Sequence, residues 1–342
     1  LSQYLFYISQ NYAFEILRPL QAEIRRRGGQ VHWFIEGNEV NRQLFLSDES
    51  LVDSVADVIA IRPKAVFVPG NYVPSFIPGL KVQVFHGFEW KKKGHFRIRD
   101  CFDLYCTQGP LFTRKFEQLQ AGHPHFRVLE TGWPKTDPLF SVEPYPWPTT
   151  AKGPLILYAP TFSPSLTSAP ALLEQINTLS RQGDTRWLIK FHPKMDPQWI
   201  QAYKAIQHEA LVVAEDSAIN PLLQAADIML SDTSSVITEF CLLKKPVITF
   251  NNLQPEAHIL NISTPEALPD AIQQALAPPT DWRRAIEENI NQLHPYTDGQ
   301  SCSRILEAVD YAIALGAEGL KKKPVNLFRQ FKLRSKLGYW GR

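Results

Sequence analysis

Two histidines, a run of hydroxyl residues and a few cations are the residues whose types and spacing could do chemistry. His86 follows the apolar run Val82–Phe85 and precedes Gly87; His192 follows Leu188–Phe191 and precedes Pro193. An imidazole titrates near neutral pH, so it can take a proton from a hydroxyl or donate a hydrogen bond to a leaving group. The stretch Ser231-Asp232-Thr233-Ser234-Ser235 follows Ile228–Leu230 and leads into a helix running through Glu239 to Lys244, with a second strand, Val247–Phe250, after it. Hydroxyls and unpaired backbone N–H groups at a helix start, at the carboxyl edge of a parallel sheet, favour a phosphate. By itself such a run is more often a helix cap made by Asp232, Thr233 or Ser234.

Several absences narrow the chemistry. The sequence has no GxGxxG after its first strand and no GxxxxGK[ST], which removes the usual dinucleotide and P-loop signatures. It has no GxSxG elbow and no Asp-x-Asp pair, so a diphosphate would be neutralised by hydroxyls, backbone and cations without a metal. His123-Pro124-His125 is a loop histidine pair without further ligands nearby in sequence, and the four cysteines, Cys101, Cys106, Cys241 and Cys302, lack zinc spacing. No metal, no cofactor and no disulfide framework are expected.

The elements that must position these residues alternate strand and helix along the chain. Leu5–Ile8 leads into a helix over Ala13–Arg27, whose apolar Phe14, Ile16, Leu17, Leu20 and Ile24 alternate with charges before Gly28-Gly29 closes it. Strand-like runs follow at Val31–Ile35, Ala65–Val68, Val82–Phe85, Leu104–Thr107 and Val128–Thr131. The proline-dense segment 142–148 reads as a linker. A second series has strands at Leu155–Ala159, Trp187–Phe191, Leu211–Ala214, Ile228–Ser231 and Val247–Phe250, with helices starting near Pro170, Pro197, Pro221 and Ser234.

This alternation predicts an α/β fold of two doubly wound domains facing each other across a cleft. The expected division is a first domain over 1–145, a second over 146–319, and a basic tail over 320–342. A chain of 342 residues is too long for one ordinary core. Its net charge of +2 gives no sign of a nucleic-acid partner. No apolar run reaches the ~18 residues a membrane span needs. Leu1–Tyr7 reads as the first strand and not as a secretory signal.

Several blocks resemble the CDP-glycerol glycerophosphotransferases, the teichoic-acid primase and polymerase family. His86-Gly87 with Lys91, Lys92 and Gly94 resembles its "HGTPLKKxG", and Glu130–Asp137 resembles "ETGYPRND". Leu157–Phe162 is similar to "LYAPTFR", Ile189–Pro193 to "IKxHP", Ser231–Phe240 to "TDYSSVxFDF" and Leu243–Pro246 to "LxKPI". Asp298-Gly299 with Ser303-Arg304 resembles the ending "DGxxSxR". The blocks stand in the family's order from about residue 80 to 310. There are departures: Phe88 and Glu89 stand for Thr-Pro, Ser163 and Lys135 each for Arg, Thr233 for Tyr and Glu239 for Asp. Lysine at 135 gives up the bidentate geometry an arginine offers a phosphate.

The resemblance implies a GT-B fold and transfer of a polyol phosphate, glycerol phosphate first, from a CDP-linked donor, with release of CMP. It makes His86 the general base and has His192 steady the leaving group. Thr161, Lys190, Asp232, Thr233, Ser234, Ser235, Glu239 and Arg304 are then the donor-side residues, and Gly87, Glu89, Lys91 and Lys135 the acceptor-side ones. Glu239 reads equally well as a solvated helix carboxylate. The acceptor implied is a cell-surface glycan or a lipid-linked hydroxyl, reached from the cytoplasmic face of the membrane.

The tail carries Lys321, Lys322, Lys323, Arg329, Lys332, Arg334, Lys336 and Arg342 among Leu327, Phe328, Phe331, Leu333, Leu337, Tyr339 and Trp340, with no acidic residue. It reads either as an interfacial helix drawn to anionic lipid or as a helix packed on the first domain. The other readings the sequence leaves open are a GT-B glycosyltransferase or UDP-sugar epimerase with the same diphosphate pocket, and a non-catalytic binding subunit.

Overall fold

The computed structural model describes residues 1–88, 90, 93–215 and 217–341. The chain forms two compact units, one of Leu1–Asp137 with Gln292–Arg342, the other of Pro138–Asn291.

The first unit has β1 (Gln3–Ile8), α1 (Tyr12–Arg26), β2 (Gln30–Ile35), β3 (Ser50–Val52), α2 (Val55–Ile61), β4 (Ala65–Val68), β5 (Leu80–Gln83), β6 (Leu104–Thr107), α3 (Pro110–Gln120) and β7 (Arg127–Glu130). Its seven strands lie in the order β3-β2-β1-β4-β5-β6-β7, with every pairing parallel. Both faces of this sheet are covered. Phe6 and Ile8 of β1 join Trp33, Phe67 and the α1 residues Phe14, Leu17 and Leu20 in one core, while Leu5 and Tyr7 join Phe34, Val66 and Phe116 in another. That double burial is why β1 reads as an unbroken apolar run instead of an alternating one.

The second unit has β8 (Leu155–Tyr158), α4 (Ala169–Arg181), β9 (Arg186–Ile189), α5 (Pro197–Ala205), β10 (Leu211–Val213), α6 (Ile219–Ala225), β11 (Ile228–Ser231), α7 (Val236–Cys241), β12 (Val247–Phe250), β13 (Ile259–Ile262), α8 (Leu268–Leu276) and α9 (Thr280–Leu293). Its strand order is β10-β9-β8-β11-β12-β13, again parallel throughout. In each sheet the order reverses beside the first strand, at β1/β4 and at β8/β11. That reversal leaves a crevice at the carboxyl ends of the strands, where ligands of open α/β sheets bind.

The expected domain limits need two corrections. The division falls at Asp137/Pro138, because the proline-dense segment packs on the second unit: Tyr145 N–H donates to Pro221 O at 2.9 Å, and Arg186 lies over the Trp147 ring at 5.3 Å. The second unit also ends at Asn291 and not at 319. The last two helices, α10 (Ser301–Leu315) and α11 (Leu327–Leu337), belong to the first unit. Ile305, Leu306, Val309 and Ala312 of α10 are buried in the same core as α1, so hydrophobic burial draws the chain back.

Among the predicted strands, Val82–Phe85 is displaced to Leu80–Gln83 because Phe85 takes a left-handed φ of 61°, which no strand continues. The edge strands β3 and β13 lie outside the expected set, because SLV and ILNI are too short to show a periodic signal.

Candidate functional site

In the second unit the candidate residues gather at the β8/β11 reversal. The loop after β8 carries Thr161 and Phe162, and the turn after β11 carries Asp232 to Ser235. Asp232 is fully buried and joins the two loops. Its Oδ1 accepts from the N–H groups of Thr161 at 2.8 Å and Thr233 at 2.6 Å. Its Oδ2 accepts from the N–H of Ser168 at 2.9 Å and the Ser168 hydroxyl at 2.8 Å. This carboxylate is thus engaged inward and positions the turn, instead of facing a ligand as the sequence reading expects.

The hydroxyls beyond it are presented outward. Thr233 and Ser235 are exposed and Ser234 is half-buried. Ser235 occupies the N-cap position of α7 without a side-chain capping bond, so the cap reading does not describe this turn. Among the described residues, the N–H groups of Ser234, Ser235 and Val236 have no acceptor in the protein. Helix α7 is shorter than predicted, six residues ending at Cys241, with Lys244 in a left-handed turn at φ 58°. So short a helix adds little macrodipole, and the local N–H and hydroxyl donors dominate. Glu239 is half-buried in this helix.

His192 lies in the loop after β9, next to β8. Its Nδ1 accepts the Lys194 N–H at 3.1 Å, which puts the proton of the neutral ring on Nε2 and leaves that N–H as a donor. Partial burial, and then the nearby Lys194 ammonium, hold its pKa below the usual imidazole value, so the ring is neutral at pH 7. Phe162 stacks on it with centroids 4.4 Å apart. Lys190 directs its ammonium to the Glu215 carbonyl at 2.6 Å.

His86 sits past the end of β5 in the first unit. Its Nδ1 lies 3.1 Å from the Pro69 carbonyl, which can only accept, so Nδ1 carries the proton and Nε2 a lone pair. The ring stacks on Tyr12 at 5.4 Å. The left-handed Phe85 re-aims the chain here and is held on both sides. Its N–H donates to Gln83 Oε1 at 3.1 Å, and its carbonyl accepts from Trp133 Nε1 at 3.3 Å. A non-glycine residue kept at such a φ by its surroundings is frequent at functional sites. The Gly87 carbonyl accepts from Gln108 Nε2 at 2.9 Å. Nearby, at the β1/β4 reversal, a cavity of about 420 Å³ is lined by Ser9, Tyr12, Glu39, Asn71, Tyr72 and Lys336, among others. The candidate residues Glu89 and Lys91 lie outside the described residues.

A profile of the family described as CDP-glycerol:poly(glycerophosphate) glycerophosphotransferase matches residues 100–311 of this chain. The chain belongs to that family. It is accordingly a transferase-type enzyme, and the resemblance read from its blocks holds. Solved structures share the fold. The wall teichoic acid polymerase TagF, in a structure soaked with CDPG, aligns at a TM-score of 0.61 and 13% identity, covering 91% of this chain and 88% of that one. A UDP-N-acetylglucosamine 2-epimerase aligns at 0.62 and 14%, covering 95% and 99%. The UDP-GlcNAc 2-epimerase from Neisseria meningitidis bound to UDP-GlcNAc aligns at 0.60 and 13%, covering 90% and 100%. At these identities the likeness carries the GT-B-type fold alone. A comparison with curated protein sequences finds no significant match. The family match begins past His86-Gly87, so a role for His86 rests on its own geometry and block.

The glycerophosphotransferase blocks Glu130–Asp137 and Asp298–Arg304 meet in the first unit as a structural knot. Asp137 accepts the Ser301 and Cys302 N–H groups at 2.9 and 2.7 Å, capping α10. Gly132, at φ 83°, leaves no room for a Cβ, which would come within 2.4 Å of Ser301 Oγ. The Glu130 carboxylate accepts from Thr113 and Tyr296, and Arg304 lies over the Tyr296 ring at 4.3 Å while pairing with Asp298. Arg304, expected beside the donor in the second domain, therefore belongs to the first unit, because α10 does. Buried His294, its pKa pushed down to about 4 by burial, accepts the Trp133 N–H at 3.0 Å. Phe88, in place of the family's Thr, packs edge-on against Trp133 at 5.0 Å. Lys135 pairs with Glu15 at 3.4 Å.

Tyr12, Phe162 and Ser168 touch these residues without a signal of their own by type: Phe162 is one aromatic beside a strand end, and the contacts of Tyr12 and Ser168 arise only on folding.

Proposed function

We propose that this enzyme transfers glycerol phosphate, or a related polyol phosphate, from a CDP-linked donor to a hydroxyl of a cell-surface glycan or lipid-linked acceptor. The observation that carries this reading is the turn from Thr233 to Val236, where the hydroxyls of Thr233, Ser234 and Ser235 and the N–H groups of Ser234, Ser235 and Val236 have no partner among the described residues, at a strand-order reversal. Such donors suit a diphosphate without a metal. The Nε2–H of His192 adds a neutral donor for the leaving group. The acceptor hydroxyl attacks the phosphorus distal to cytidine, and its proton passes to His86 Nε2. The bond from that phosphorus to the bridging oxygen breaks, and CMP leaves with the electron pair. Thr161 and Lys190 flank the donor, and Gly87 and Lys135 stand on the acceptor side. Family membership supports the CDP-linked donor.

Calorimetry with CDP-glycerol should find binding weakened by about 1–3 kcal/mol in the Ser234→Ala/Ser235→Ala double variant, the value of hydrogen bonds to a charged group. Unchanged affinity removes this turn from the donor site. CMP release is the expected product in a panel of CDP-polyols and UDP-sugars. Turnover of UDP-sugars with no CMP formed would overturn the reaction.

The same reading has the enzyme working at the inner membrane face as a peripheral protein. Among the described residues, no helix is long and apolar enough to cross a membrane. Helix α11 packs on its own unit through buried Leu333, and Lys323, Arg329, Arg334 and Lys336 are engaged there. Its outer side leaves Leu327 76%, Phe328 81% and Phe331 63% exposed, and Trp340 beyond its end is 59% exposed, beside exposed Lys321, Lys322 and Lys332. Exposed aromatics next to free lysines suit an anionic lipid interface. The Phe328→Ser/Phe331→Ser variant should sediment less with anionic vesicles, and salt should release the parent chain only in part, since the apolar contribution is unscreened. Equal sedimentation of variant and parent would show that α11 is not the anchor.

A further inference from the structure

Asp100, His123 and His125 meet at the amino edge of the first unit's sheet. Asp100 precedes β6 and the two histidines precede β7, so the cluster sits at the opposite sheet edge from His86. The Asp100 Oδ1 atom lies 3.1 Å from His123 Nδ1 and 3.1 Å from His125 Nε2. All three side-chain ligand atoms fall within 4.8 Å of one another.

Two further features distinguish this cluster from an ordinary ion pair. The His125 side chain is 4% exposed, and its Nε2, although aimed at Asp100, makes no hydrogen bond. A buried nitrogen that faces a carboxylate oxygen at a poor hydrogen-bond angle is incompletely satisfied, and an ion bound by both would satisfy it. Asp100 itself has a left-handed φ of 59°, an unusual backbone state that brings its carboxylate to both rings.

We propose that Asp100, His123 and His125 bind a divalent transition-metal ion of the zinc class, with water completing the coordination. Two imidazoles and one carboxylate form a donor set that suits zinc. Adjacent ligands of a tetrahedral ion with bonds of about 2.0–2.1 Å stand roughly 3.3–3.5 Å apart; the two Asp100–histidine separations of 3.1 Å are close to this, and the two histidine nitrogens lie within 4.8 Å of each other. The nearby Lys323 opposes a cation, but its ammonium is paired with Asp103 at 2.5 Å. The ion clips together the loops before β6 and β7. The same loops receive the C-terminal segment, since the Lys321 N–H donates to Pro124 O at 2.7 Å and Lys323 Nζ to Cys101 O at 3.0 Å. The role is structural and separate from transfer chemistry.

Isothermal titration of the chelator-treated full chain with zinc sulfate tests this. One tight site per chain and a raised melting temperature are expected. His123→Ala, whose side chain is 38% exposed and so tolerates replacement, should weaken zinc binding by at least about 100-fold, the upper end of what losing a ligand-orienting partner alone costs. Co²⁺ in the parent should give the visible absorption of a tetrahedral site, and Asp100→Asn should abolish it. Absence of a tight site in the parent, or equal zinc affinity in parent and His123→Ala/His125→Ala, would overturn the proposal.

Discussion

Replacing His86 by alanine should lower turnover by about 10²-fold or more while leaving donor affinity unchanged. The expectation follows from how the ring is held. Its Nδ1–H is committed to the Pro69 carbonyl at 3.1 Å, and Tyr12 stacks on one face, so Nε2 is the remaining proton acceptor. A positioned general base contributes about 10²–10⁴-fold, and alanine offers none. Donor binding is assigned to the turn after β11, on other residues, and should survive. The measurement is CMP release from CDP-glycerol with acceptor present, paired with donor calorimetry. His86→Gln separates positioning from proton transfer, since an amide keeps hydrogen bonding and cannot act as a base at neutral pH. If His86→Ala retains near-parent turnover on its true acceptor, the base is another residue.

Asp232→Ala should be among the most destabilising single substitutions in the second unit, at about 3–4 kcal/mol. The carboxylate is fully buried and accepts from Thr161 N–H, Thr233 N–H, Ser168 N–H and the Ser168 hydroxyl. Removing it strands those donors, each worth about 1–3 kcal/mol when buried and unsatisfied, though their costs do not add in full and water relieves some. Asp232→Asn keeps the shape but turns an NH₂ toward either Ser168 or the Thr161 and Thr233 N–H groups, so much of the loss should persist. A lower urea midpoint at unchanged slope reports the effect. A loss under about 1 kcal/mol would mean that these loops are held by other contacts. Because Asp232 fastens the loops after β8 and β11 to each other, donor binding should fall along with stability.

The role of Asp232 marks a limit of reading by residue type. Within Ser231–Ser235 every side chain is small and polar, so the sequence gives no sign of which faces inward. Burial decides it: β11 is covered on both faces, and the residue directly after its last position is still enclosed by the 161–168 loop. Arg304 shows the same limit over a longer range. Its block follows the second series of strands in sequence, yet Ile305 and Val309 on its helix complete the α1 core, and side chains on α10 must follow.

By itself, the sequence determined the alternating strands and helices, the two α/β units, the family, and the placement of His86, His192 and the hydroxyl turn at strand ends. These are local or nearly local properties. Hydrophobic periodicity and turn residues act within one element, and a strand end fixes which edge of a parallel sheet its loop occupies. Only the tertiary structure decided the rest: which unit received α10 and α11, that Asp232 faces inward, which nitrogen of each histidine carries the proton, and that Asp100 joins His123 and His125. Each depends on partners distant in sequence, brought together by burial of apolar faces that no local spacing records.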